Sequence, residues 1–105
     1  MTTPADDTFG SLLTQIKSHA GPTGSVSIWW HQNHATVDVF GIDPDRYPLH
    51  NEDDVLAPIR FADNVVTGER ALRVRRDTFA EALKDAAAAL AHPPQHPRPS
   101  LRVIR

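Results

Sequence analysis

Two alternating stretches, residues 25–31 and 35–40, restrict the fold more than anything else in the chain. Val26, Ile28 and Trp30 share one parity, and Val37 and Val39 repeat the pattern beyond a short polar break. A period of two over β-branched and aromatic residues specifies strands. The break at Gln32-Asn33 is two residues long, and asparagine tolerates the left-handed backbone of a tight turn. Residues 25–40 therefore predict a β-hairpin, and a hairpin needs a wider sheet and a covering layer to be stable.

The flanking segments supply both. Phe9, Leu12, Leu13 and Ile16 fall on one face of a helix expected over about residues 7–19. Asp6, Asp7 and Thr8 are its cap candidates, and Gly21-Pro22 ends it. Residues 59–62 read as a short third strand and 70–75 as a cleanly alternating fourth. Asp77 is expected to cap a second helix, with Phe79, Leu83, Ala86, Ala87 and Leu90 as its apolar stripe, ending at Pro93-Pro94. Residues 41–57 form a loop holding five of the eight acids of the N-terminal half. It is expected to be a solvated acidic connector, with residues 52–56 as one helical turn. The element order α-β-β-β-β-α predicts an α+β two-layer sandwich: an antiparallel four-stranded sheet with two helices on one face. Val26, Ile28, Trp30, Val37, Val39, Ile59, Phe61, Leu72 and Val74 are its expected inward set. The adjacent tryptophans leave open which of Trp29 and Trp30 is core, because a slip of one residue exchanges the faces. Residues 1–92 are read as the single domain. Residues 93–105, with four prolines among 93–99, are read as an extended tail whose last residues could form an edge strand.

Composition narrows the classes. At 105 residues the chain is long enough for one core without staples. It has no cysteine, which excludes disulfides, thiolate zinc sites and cysteine nucleophiles and fits a reducing compartment. No apolar run is long enough for a transmembrane helix, and the polar, acidic start does not resemble a secretory signal. A cytoplasmic location is expected. Nine arginines against two lysines, with thirteen alanines, suggest G+C-rich coding DNA, as in a high-G+C bacterium or its phages. The net charge of −2 divides unevenly: residues 1–57 carry eight acids and two bases, residues 58–105 five acids and nine bases. Such a division hints at a partner or at self-association.

The alternation also fixes the other sheet face, which displays Ser27, Trp29, His31, Thr36, Asp38, Phe40, Arg60, Arg73 and Arg75. Aromatics beside arginines are the composition of binding surfaces. The expectation is a non-catalytic protein–protein interaction module, such as an adaptor, chaperone-like or inhibitor protein. It would use Trp29, Phe40, Arg60, Arg73, Arg75 and Arg76, and it would work as a homodimer or on another protein. The alternative is a nucleic-acid binder, with aromatics stacking on bases and Arg60, Arg73, Arg75 and Arg76 on phosphates. Against it stand the negative net charge, Asp38 in mid-platform and the lack of an RNP-type motif. A third reading is a metal site at His31 and His34, which face one another across the turn with Cβ atoms about 5 Å apart, completed by Asp38 or His50. The lone HxxH lacks a fixed third ligand, and two solvated turn histidines are the simpler expectation. No nucleophile elbow, phosphate loop, dinucleotide fingerprint or calcium loop is present, so neither an enzymatic activity nor a cofactor is expected.

Overall fold

The computed structural model describes residues 8–94. The cap candidates Asp6 and Asp7, and the tail from residue 95 with its expected terminal strand, lie outside them. The elements are α1 (Phe9–Ala20), β1 (Ser25–Trp30), β2 (Ala35–Phe40), β3 (Ile59–Asp63), β4 (Arg70–Arg76) and α2 (Phe79–Ala91), in the expected α-β-β-β-β-α order. The strands form one antiparallel sheet in the order β1-β2-β4-β3, and the helices pack against it.

Local chemistry accounts for the helix ends. Thr8 caps α1 by accepting the Ser11 amide at 3.2 Å. The helix stops at Gly21, whose φ of +85° is costly for a residue with a side chain. Thr78, rather than the expected Asp77, caps α2. Its hydroxyl accepts the Glu81 amide at 3.2 Å and donates to the Glu81 carboxylate at 3.1 Å. A capping side chain must sit immediately before the first helical residue, and Asp77 is one position too early. The hairpin closes through the His31 amide on the His34 carbonyl at 2.9 Å. Asn33 does not use the left-handed region, since Asn51 is the one non-glycine residue with positive φ among the described residues.

Strand register places the whole expected inward set on the helix side of the sheet. Val37, Val39, Phe61, Leu72 and Val74 are fully buried there with Ile16, Leu83 and Leu90. Ile28 and Trp30 point the same way yet stay exposed, Trp30 at 78%. Neither tryptophan is core. The cause is the offset of the helices: α2 lies over β4 and β2, while α1 packs chiefly on α2 and only grazes β1. At the near end of β1 the approach is close, because a Cβ on Gly24 would stand 2.6 Å from the Ala20 Cβ.

The loop 41–58 is more ordered than a solvated connector. Ile42, Tyr47 and Ala57 are buried within it. Tyr47 stacks on Phe61 with ring centres 5.6 Å apart, and its hydroxyl donates to the Leu90 carbonyl at 2.8 Å, joining loop, sheet and the end of α2. Burial raises the Tyr47 pKa above 10.0. Residues 52–56 do not form the expected helical turn. Two successive turns replace it, with the Asp54 amide on the Asn51 carbonyl and the Ala57 amide on the Asp54 carbonyl. Replacing Tyr47 with Phe keeps the stacking but strips the Leu90 carbonyl of its partner. Urea denaturation should show a loss of about 1–2 kcal/mol with an unchanged far-UV spectrum.

Candidate functional site

The expected platform is present in outline. In cross-strand rows, Trp29 lies beside Thr36 and Arg75; Ser27 beside Asp38, Arg73 and Arg60; Phe40 beside Ala71 and Ala62. Most of its charges are already engaged. Arg73 forms a two-pronged pair with Asp38, at 2.7 Å from Nε to Oδ1 and 3.2 Å from Nη2 to Oδ2. Asp38 is only 3% exposed, so Arg73 compensates its charge. The hydrogen bond to Asp38 raises the Arg73 pKa further above its basic value. Arg60 is turned to the loop, donating to the Asn51 carbonyl at 3.2 Å and the Glu52 carbonyl at 2.6 Å. Phe40 is half-buried. Arg76 does not join the face. Register puts it on the helix side, where it pairs with Asp85 on α2 at 3.1 Å. Arg75 is left as the platform arginine without an acidic partner among the described residues.

Residues 51–57 lie over part of the same face. Val55 and Ala57 line a shallow polar pocket of about 300 Å³ with Trp29, His31, His34, Thr36, Arg73 and Arg75. A flat stacking surface for another sheet or a run of bases is thereby interrupted.

His31 and His34 are brought together as expected, their rings stacked with centroids 4.3 Å apart. Loss of hydration, then the nearby Arg75 and His31, lower the His34 pKa below 6.5, with Asp77 acting weakly the other way. No third ligand joins them. Asp38 is held by Arg73, His50 bridges to Phe61, and no group of three His, Asp or Glu suited to a metal occurs among the described residues.

The feature that sequence reasoning missed is the contrast between the two sheet edges. The β3 edge is covered at its middle: His50 pairs with Phe61 through hydrogen bonds of 3.0 and 2.9 Å, and the Asn51 side chain donates to the Ile59 carbonyl at 3.1 Å. Among the described residues the β1 edge pairs with no strand on its outer side. Its sequence, Ser-Val-Ser-Ile-Trp-Trp, has no charge, proline or glycine to discourage pairing. Trp29 on one face, 53% exposed, and Trp30 on the other flank that free backbone. Trp30 rests one side of its ring on Phe79 at 5.7 Å, and Phe79 in turn meets Phe9 at 5.4 Å. Beside them runs a groove of about 670 Å³ between α1 and β1, walled by Leu13, Ala20, Pro22, Val26 and Ile28. The uncharged β1 sequence was the available signal, but the strand order that makes β1 an edge was not readable.

No family model, curated protein or solved structure matches the chain.

Two outcomes follow for the platform. Arg73→Leu leaves the Asp38 carboxylate buried and unpaired. It should cost about 2–3 kcal/mol in urea denaturation, below the cost of breaking a fully buried pair because Arg73 is half exposed. Replacing both Asp38 and Arg73 with leucine should recover most of that loss. By NMR titration His34 should gain its proton only below pH 6.5, and Arg75→Gln should move its midpoint upward. A depressed histidine pKa means that this group's contribution to stability is present above pH 6.5 and declines as pH falls through the lower folded value.

Proposed function

We propose that the protein is a non-catalytic interaction module, of the adaptor, chaperone-like or inhibitor kind, acting in the cytoplasm. Its working surface is the free β1 edge with Trp29 and Trp30 as anchors. The observation that carries this reading is the unequal treatment of the two edges. One is covered at its middle by the chain's own loop, while the other, among the described residues, keeps open backbone groups flanked by two exposed tryptophans. Tryptophan is the residue type most enriched among binding hot spots. An extended segment added to a sheet edge gains backbone hydrogen bonds along the strand and side-chain contacts on both faces.

The platform arginines contribute less than the sequence suggested, because Arg73, Arg60 and Arg76 are engaged within the chain. For the same reason the described platform gives little support to nucleic acid, whose capture depends on unpaired cations.

The test separates binding from folding. Trp29→Ser and Trp30→Ser remove side chains that the fold buries little, so each should cost no more than about 1 kcal/mol of stability. Each should also abolish association with the partners that wild-type protein retains, its own copy included, in quantitative affinity capture from the source cells. Unfolding of both variants, or unchanged association, would overturn the assignment.

A further inference from the structure

We infer that the occupant of the β1 edge is a second copy of this chain, paired antiparallel about a two-fold axis through Ile28. This rests on the reading of β1 as the interaction surface and names its partner.

The first support is backbone geometry. With the hairpin closed by the His31 amide on the His34 carbonyl, alternation turns the peptide groups of Ser25, Ser27 and Trp29 towards β2. Those of Val26, Ile28 and Trp30 then point out to the free edge. A symmetric antiparallel pair keeps both helix layers on one side only if its axis is perpendicular to the sheet, and each residue then meets a partner of its own parity. An axis at Ile28 makes pairs of the outward-pointing residues and forms about six backbone hydrogen bonds.

The second support is volume. In that register Ile28 meets its own copy, Val26 meets Trp30 of the partner, and Ser27 meets Trp29 of the partner. Every tryptophan faces a small residue. An axis at Trp29 would instead set two tryptophans directly opposite one another.

The third support is the groove. Val26 and Ile28 form its strand wall, and Leu13, Ala20 and Pro22 lie across it. The Trp30 ring of a partner paired with Val26 arrives at this groove from the helix side, with one ring face free of Phe79. Each chain therefore carries a knob, Trp30, and a hole beside Val26, and the two-fold axis puts each knob against the other chain's hole. The two tryptophans together expose about 300 Å² per chain. With the strand edge and the groove this approaches the ~800 Å² per partner of a standard interface. The paired edges carry no charge, so no like charges are opposed.

Sedimentation equilibrium and single-cysteine crosslinking of the full chain test the pairing. Wild type should sediment at twice the chain mass of 11.6 kDa. Trp30→Ser and Ile28→Glu, each shown folded by circular dichroism, should weaken the dimer by at least about 30-fold. Because the chain has no cysteine of its own, Ile28→Cys should give a covalent dimer on mild oxidation, while Val26→Cys, well off the axis, should not. A wild-type monomer at about 100 µM, far above the Kd of ordinary specific interfaces, overturns self-pairing. If Trp30→Ser still loses another protein in that case, the edge remains the interaction surface. A dimer that survives both substitutions, or crosslinks through Val26→Cys rather than Ile28→Cys, also overturns the proposed register.

Discussion

Strand β4 pairs with β2 on one side and β3 on the other, and much of the molecule follows from that placement. Both neighbours are antiparallel to β4, so β2 and β3 run in the same direction. The chain leaving β2 at Phe40 must travel back along the sheet before β3 begins at Ile59. A short turn cannot make that journey, which is why a segment as long as 41–58 persists in so small a domain. Gly41, at φ +76° and with a would-be Cβ 2.9 Å from the Thr23 carbonyl, begins the departure. Tyr47 anchors it on Phe61 and Leu90, Arg70 donates to the Tyr47 carbonyl at 2.6 Å, and His50 pairs with the middle of the β3 edge. The loop then passes to the open face, where Arg60 holds its carbonyls. One crossover thus completes the core, covers the middle of one edge and lies over part of a face. It cannot also reach β1.

The electrostatics of the open face follow from burial. Asp38 lies on β2, between β1 and β4, where water access is lost, and a carboxylate there requires a fixed counter-charge. Arg73, directly across on β4, is the residue register supplies. What looks in sequence like a cationic platform is therefore largely a compensated structural pair. On the described face the residual positive character lies at Arg75 beside the stacked histidines, where, after loss of hydration, it helps to lower the His34 pKa.

The legible parts of the structure were those set by short-range periodicity. Val26 to Phe40 declared a hairpin, and Phe9 to Ile16 and Phe79 to Leu90 declared their helices, because each pattern is complete within one element. Face assignment followed from the same parity, and Trp30 does lie on the helix side. Its exposure was not legible, because burial depends on where a helix axis falls over the sheet, and no local pattern encodes that offset. Tyr47 and Ile42 were hidden among Asp43, Asp45, Arg46 and two prolines, whose polarity describes the solvent side of the loop. Arg76 extended the alternating run of β4, yet the period of two that placed Arg73 and Arg75 outward sends Arg76 to the other side.

The unguarded β1 edge is where these constraints meet. A free strand edge is ordinarily blunted by charge, proline, a bulge or a covering segment, because open amides and carbonyls invite pairing. Among the described residues the covering segment is spent on β3, and β1 carries none of the other devices. Both tryptophans could have been polar without loss to the core, since neither is buried in it. Keeping them exposed on an open edge runs against solubility, and that conflict is resolved if the edge is covered when the protein acts. The groove beside Val26 has the same origin as the exposure of Trp30, namely the displacement of α1 towards α2. A single packing offset therefore creates both the projecting side chain and the space that a second chain's copy of it can enter.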